Sequence, residues 1–141
     1  MGPKAGADGT LAISMPMGDR PLSVIGAGDI GACAYGIFKA GNEYMGKTVG
    51  IAGDHVSGKD MAAAFSKALG KKVVYNDMKP EDYRALGFPG ADDLGNMFQF
   101  YRDFNEDFVA ARPVEKAKKL NPKLSSFQQW LDAHAKEVPV A

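Results

Sequence analysis

Two spacings in the first third of the chain use residue types that could do chemistry. Gly26-x-Gly28-x-x-Gly31 follows a short β-branched run and precedes a helical pattern, an order typical of dinucleotide-binding turns. Tyr35-x-x-x-Lys39 has the spacing of a tyrosine–lysine pair that donates a proton in some nicotinamide-dependent reductases. Together they raise the hypothesis of a small oxidoreductase.

The surroundings of the glycine triplet weaken that hypothesis. Glycine makes up 17 of 141 residues, so roughly one such chain in four would contain the triplet by chance. Pro21 leaves only a short strand before it, no strand-like run after Tyr75 could build a second mononucleotide half, and Asp54 lies in a turn-like Gly-Asp-His sequence. We therefore expect a tight strand-to-helix turn, with Asp29 as the N-cap of the helix.

The remaining candidate groups also fit structural roles better than catalytic ones. Tyr35 and Lys39 would lie on the helix that the glycine turn opens, and one helix cannot hold both the pyrophosphate and the proton donor. His55 and His134 lack metal-ligand spacing, and Cys33, the only cysteine, lies in a small apolar context. Adjacent acids, as in Asp92-Asp93 and Glu106-Asp107, point about 100° apart on a helix and form no converging pair. We expect no catalytic and no metal-binding residue.

Composition sets further limits on function. Seventeen basic side chains balance seventeen acidic ones, and the chain has no basic run of the kind that direct binding to nucleic acid requires. No apolar run approaches the length of a membrane helix, and the N-terminus lacks a signal-peptide pattern. We expect no membrane association and a cytoplasmic or nuclear location.

Hydrophobic periodicity predicts an α/β fold with a small mixed or parallel sheet of about three or four short strands, followed by an all-helical C-terminal half. The predicted strands are 10–15, 22–25 (paired with the first), 48–52 and 72–75. The predicted helices begin at Asp29, Ser57, Pro80, Asp92, Val114 and Ser125 or Ser126. In the first helix we expect one inward face that contains Ile30, Cys33, Ala34, Ile37 and Phe38. Residues 1–9, rich in glycine, alanine and proline, are expected to be flexible.

Two aromatic residues do not fit the apolar stripe of the helix that starts at Asp92. Phe100 and Phe104 fall roughly 60–100° from its centre, which widens the apolar surface beyond one core face. The helix is either buried on two sides within the chain, or these rings cover a neighbouring domain or partner. An exposed aromatic patch would favour the second interpretation.

A longer stretch carries a family resemblance. The run KVVYNDMKPEDYRALGFPGADDLGNMFQFYRDFN, from Lys72 to Asn105, resembles the C-terminal portion of NmrA-like family proteins, an atypical branch of the short-chain dehydrogenase/reductase superfamily. Three other pieces agree in the same order: GDIG at 28–31, EYMGKTVGIAG at 43–53 and LNPKLSSFQQWLDAH at 120–134. The resemblance covers roughly residues 9–135.

The resemblance implies a non-catalytic regulatory role. Such proteins have an N-terminal Rossmann domain that binds NADP(H) and a C-terminal part that walls the cleft. They typically lack the catalytic tyrosine, and they are associated with redox sensing and with transcriptional regulation through protein partners. On this view residues 1–141 form a single C-terminal domain, and the cofactor contacts lie upstream of Met1. No cofactor is then expected in this chain, and its partner is the missing Rossmann domain or another protein.

Two alternatives stay open. The chain could be the substrate-side part of an NAD(P)H-dependent reductase, or a stand-alone protein-interaction module.

Overall fold

The computed structural model describes residues 2–6 and 8–140, and within them five short strands and seven α-helices. The strands are β1 (Lys4–Ala5), β2 (Leu11–Met15), β3 (Leu22–Val24), β4 (Asp54–Val56) and β5 (Val73–Asp77). The helices are α1 (Ala27–Lys39), α2 (Gly58–Leu69), α3 (Pro80–Arg84), α4 (Ala91–Asp103), α5 (Asn105–Ala110), α6 (Val114–Leu120) and α7 (Phe127–His134). Short 3-10 helices cover Gly41–Tyr44 and Ala135–Glu137.

The strands form two small sheets rather than the single sheet that we predicted. The first has the order β1-β2-β5, with β1 antiparallel and β5 parallel to β2. The second is the antiparallel pair β3-β4. The predicted pairing of the strand at Leu22 with the first strand is wrong, because β3 pairs with β4 instead. The expectation of a small mixed sheet is confirmed by β1-β2-β5, in which β2 and β5 are parallel. The chain between these two strands contains β3, α1, β4 and α2.

The predicted strand at 48–52 is also wrong. This segment has no strand structure, and β4 lies just after it, in the stretch that was expected to be a turn. The end of this segment is fixed without strand pairing. Ala52 and Gly53 are buried, and the Gly53 amide donates to the Val24 carbonyl oxygen (2.7 Å). Of residues 48–52 only Ala52 is buried, and Val49 and Ile51 are half-buried. A short apolar run can therefore be irregular, because its composition does not show whether the backbone pairs with a strand.

The N-terminal nine residues contain a strand that their composition did not predict. Lys4 pairs with Ala12 and Ala5 with Leu11, and Pro3 is fully buried. Met1 and Ala7, which the expectation of flexibility also covered, lie outside the described residues.

Helix α2 forms as predicted and packs on the first sheet. Ser57 and Asp60 make a capping box at its N-terminus, and Gly70 ends it in the left-handed conformation with φ 63°. Its inward residues Met61 and Phe65 join the main core. The largest fully buried members of the core are Phe98, Met15, Met17 and Leu131.

Helix α1 differs from the prediction in its cap and in its buried face. It begins at Ala27 with Gly26 as the N-cap, so the prediction that Asp29 caps it is wrong. Of the predicted inward residues only Cys33 is fully buried, whereas Ile30 is 47% and Phe38 82% exposed. The cause is the position of α6, which packs on the side of α1 that carries Cys33 and Gly36.

The C-terminal half is helical in the described residues after β5, as predicted. The stripe from Asp92 to Phe108 is divided at Phe104 (φ −111°, ψ 35°), which separates α4 from α5. Within the described part of the chain, none of the helices is both long enough and apolar enough to pass through a lipid bilayer.

Candidate functional site: an apolar cleft under helix α7

A cavity of about 290 Å³ lies between the two sheets. Strands β2 and β3 supply one side, α2 a second, and the N-terminal ends of α1 and α7 close it. Its lining consists of apolar side chains, backbone and two serines: Ile13, Met15, Leu22, Val24, Ile25, Gly26, Ala27, Met61, Phe65, Ser125, Ser126, Phe127 and Trp130. The volume is near the lower end for small-ligand sites.

Two carboxylates hold the wall that α7 contributes. The Phe127 amide donates to Asp54 Oδ2 (3.1 Å), and the Ser125 amide donates to Asp29 Oδ2 (3.2 Å). The other oxygen of Asp29 accepts from Asn121 Nδ2 (2.7 Å), and Asn121 is itself buried. Asp29 therefore fixes the N-terminus of α7 relative to α1, and Asp54 fixes it relative to the β3-β4 sheet.

The local sequence of α7 completes this wall. Ser126 and Gln129 form a capping box, as the sequence predicted for a serine cap. Trp130 stacks on His134 with ring centroids 4.7 Å apart, and His134 Nδ1 lies 2.8 Å from the Trp130 carbonyl oxygen. The indole is thus held in one orientation against the cleft, and His134 has a structural role.

The glycine triplet lies beside α7. A Cβ on Gly26 would lie 3.0 Å from Trp130 Cδ1, so the absence of a side chain at Gly26 lets the indole pack closely against the turn. Gly28 and Gly31 have open space around them. Asp54, the candidate for the ribose, accepts instead from the amides of Phe127 and His55. The triplet forms the strand-to-helix turn that the sequence predicted.

The Tyr35–Lys39 pair lies outside the cleft. Tyr35 is 66% exposed on α1, and Lys39 Nζ lies 5.7 Å from the centre of its ring. Neither side chain contributes to the cleft lining. They form a surface pair one helical turn apart, as expected.

The other titratable candidates are dispersed. Ser23 Oγ and His55 Nδ1 lie 3.0 Å apart across β3 and β4. Burial, with a smaller effect of the Asp29 charge, raises the pKa of the Cys33 thiol. Within residues 2–6 and 8–140, no three His, Cys, Asp or Glu residues converge as metal ligands would.

Among the tyrosines, Tyr75 has the pKa that is raised most, and its hydroxyl contacts groups with a structural role. Its hydroxyl donates to the Met15 carbonyl oxygen (3.0 Å) and lies 3.2 Å from Asp77 Oδ1. Burial first, and then the Asp77 charge, raises the pKa of the Tyr75 hydroxyl well above its ordinary value. The Tyr75 phenol therefore stays neutral, and its hydrogen bond to Met15 links β5 to β2.

Phe100 and Phe104 lie on α4 and at the α4–α5 junction, away from the cleft lining. They are 56% and 55% exposed, and their ring centroids are 5.0 Å apart. The described residues thus do not bury the helix on the side that carries these two rings.

Sequence reasoning missed the cleft because its lining is apolar and comes from five separate elements. No spacing in the chain links Val24, Met61 and Trp130. The capping-box sequence at Ser126 was the one local signal near it, and it located the helix without showing what the helix covers.

Comparison with known proteins identifies the family. The family model described as "NmrA-like family" matches residues 2–131. Prestalk A differentiation protein A of Dictyostelium discoideum is 30% identical over 98 residues, 64% of this chain and 32% of that protein. NmrA-like family domain-containing protein 1 of Rattus norvegicus is 33% identical over 90 residues, 60% of this chain and 54% of that protein. The aligned part thus spans from about a third to about half of these relatives.

Solved structures show the same fold. Nmra, described as a negative transcriptional regulator, superposes with a TM-score of 0.71 at 21% identity, over 95% of this chain and 46% of that one. Its complex with NADP gives a TM-score of 0.67 at 23% identity, with coverage of 95% and 46%. Triphenylmethane reductase of Citrobacter sp., complexed with NADP(H), gives 0.68 at 18% identity, with coverage of 88% and 44%. With a family match over residues 2–131, the chain belongs to the NmrA-like family.

Proposed function

We propose that this chain is the C-terminal portion of an NADP(H)-responsive regulatory protein that does not itself catalyse a reaction and acts through protein partners. The observation that carries this proposal is the chemistry of the cleft. The described residues that line it are apolar apart from two serines, and the tyrosine–lysine pair lies elsewhere on the surface. Such a wall can bind and orient an apolar group, but it offers no side chain suited to proton transfer.

The cofactor belongs, in this proposal, to a part of the protein outside these 141 residues. The Asp54 carboxylate accepts from two backbone amides and the Trp130 indole packs against Gly26, which supports structural roles for these residues. Relatives are two to three times as long as the matched region, which leaves room for a nucleotide domain. The NADP complex of Nmra supports NADP as the nucleotide.

A calorimetric titration of NADPH into the 141-residue chain tests this assignment. We expect no binding tighter than the high-micromolar range. Full-length Nmra titrated with NADP, the nucleotide of its solved complex, is the positive control. A Kd below about 1 μM for the isolated chain would overturn the proposal.

The second candidate is the substrate-side part of a reductase. The aromatic and aliphatic cleft, with Phe65, Phe127 and Trp130, favours it, because such walls bind flat apolar molecules. The chain joined to the nucleotide-binding half of an NmrA-like relative should be incubated with NADPH and a triphenylmethane dye. Turnover that Val24→Phe abolishes, and that Val140→Phe at an exposed position leaves intact, would favour this alternative over the regulatory one.

A further inference from the structure

Phe100 and Phe104 form a preorganised pair on the surface. Their rings lie 5.0 Å apart at an interplanar angle of 35°. Phe100 also makes an edge contact with Tyr101, which stacks on the buried Phe108 at 4.0 Å. The exposed pair is therefore continuous with an aromatic stack that reaches the core, and its rings need little ordering when a partner binds.

The break between α4 and α5 fixes this geometry. Asn105, which is 6% exposed, donates from Nδ2 to the carbonyl oxygens of Tyr101 and Pro21, both at 2.9 Å. These bonds hold the kink at Phe104 and attach it to the loop before β3. Phe104 consequently stays at the surface instead of following the buried stripe of α4.

Carboxylates lie beside Phe104. Helices α4 and α5 contain five carboxylates (Asp92, Asp93, Asp103, Glu106 and Asp107) and one arginine, Arg102, in a chain whose total charge is balanced. A depression of about 270 Å³ is lined by Phe104, three of these carboxylates (Asp103, Glu106 and Asp107), Asn105 and Arg20. Arg102 pairs with Asp103 at 3.0 Å, whereas no ion pair involves Glu106 or Asp107 within the described part of the chain.

The size of the apolar surface indicates what kind of partner fits. Two half-exposed phenylalanines offer roughly 200 Å² of ring surface. A stable protein interface needs about 800 Å² per partner, so the ring pair alone offers an area that suits a short segment. A second copy of the chain would bring an identical acidic rim to the contact, and like charges oppose that pairing.

We propose that the Phe100–Phe104 surface binds a basic, arginine-containing protein segment that carries an apolar side chain. This inference rests on the proposed role of the chain in acting through protein partners. A guanidinium group can stack on an exposed phenyl face while it bonds to a neighbouring carboxylate. The apolar side chain of the segment packs on the ring pair, and Glu106 and Asp107 bind its positive charges.

The test uses the full chain and a defined probe. A fluorescein-labelled peptide of about twelve residues, with arginines flanking two leucines four positions apart, is titrated by fluorescence anisotropy. One comparison peptide has glutamate in place of arginine, and a second has serine in place of leucine. The protein variants are Phe104→Ala, the double change Glu106→Gln with Asp107→Asn, and the control Phe38→Ala, whose ring on α1 is 82% exposed.

We expect micromolar binding of the arginine–leucine peptide and at least tenfold weaker binding of both comparison peptides. Phe104→Ala should weaken binding about tenfold. The double charge variant should weaken it several-fold at low salt and reduce its salt dependence. Phe38→Ala should change nothing.

Three results would overturn the inference. The first is equal loss with Phe38→Ala, and the second is equal binding of the serine peptide, which would indicate charge attraction alone. The third is a dimer, seen by light scattering, that Phe104→Ala dissociates, since the occupant would then be a second copy. Phe104→Leu, with circular dichroism of each variant, separates lost contact from lost folding. The NADPH titration is independent of this surface, so failure here with the expected titration result would leave the proposed function standing.

Discussion

Asp54 shows how one side chain can suggest catalysis in the sequence and serve architecture in the fold. Its position after the glycine triplet is where an acid for a ribose would lie. In the structure its two oxygens accept from the amides of His55 (2.9 Å) and Phe127 (3.1 Å), so the carboxylate joins β4 to the start of α7. Its role is to hold a wall of the cleft.

We expect Asp54→Ala to lower the free energy of unfolding by about 1–2 kcal/mol, because two half-buried amides lose their acceptor. Urea denaturation followed by circular dichroism measures the change. Asp132→Ala is the matched control on α7: Asp132 is exposed and accepts only from Gln128 Nε2 (2.7 Å). Its cost should stay within about 0.5 kcal/mol. Equal losses in the two variants would contradict the role assigned to Asp54.

Residue types alone predicted the roles of single residues, of which only the capping serine borders the cleft. The capping serine of α7, the surface pair Tyr35–Lys39 and the buried Cys33 follow from local spacing and composition. The cap assigned to Asp29 was wrong because its partners, Asn121 and Ser125, are more than 90 residues away in sequence. A capping pattern records only neighbours within one turn, so it cannot reveal such a long-range acceptor.

At the scale of elements, local signals located helices better than strands. Caps, prolines and glycines set the ends of α2, α3, α6 and α7, and these helices occur where predicted. A strand forms only where a partner strand is available, and an apolar run such as 48–52 has none. The same limit applies to β1, whose pairing with β2 comes from position rather than composition.

Two glycines of α1 give opposite predictions for the same substitution. Gly31 has open space where a Cβ would be, whereas a Cβ on Gly36 would overlap the Leu120 carbonyl oxygen and lie 2.9 Å from its carbon. Gly31→Ala should raise the free energy of unfolding by about 0.5–1 kcal/mol, since alanine loses less backbone entropy in a helix. Gly36→Ala should lower it by about 1–3 kcal/mol through overpacking against α6. Denaturant midpoints measure both; a stabilising Gly36→Ala would show that α1 does not approach α6 this closely.

At the scale of the whole molecule, α7 connects parts that the sheets leave separate. Leu131 is fully buried in the main core, and the residues before it are held by Asp29 at the start of α1 and by Asp54 on β4. The two sheets, α1 and the core therefore share one set of contacts. Such coupling favours unfolding as a single unit.

The chain contains one tryptophan and one cysteine, which report on this coupling from opposite sides. Trp130 lies in α7, and Cys33 lies in α1, fully buried, with its thiol 3.8 Å from the Ala117 carbonyl oxygen. Across a denaturant series, the Trp130 fluorescence shift, the accessibility of Cys33 to a thiol reagent and the far-UV circular dichroism should give the same midpoint. In Asp54→Ala all three midpoints should fall together, because the Asp54 carboxylate, which links β4 to the start of α7, stabilises the whole fold. A Cys33 transition that precedes that of Trp130 would instead show that α1 and α6 open as a separate unit, with α7 and the cleft still intact.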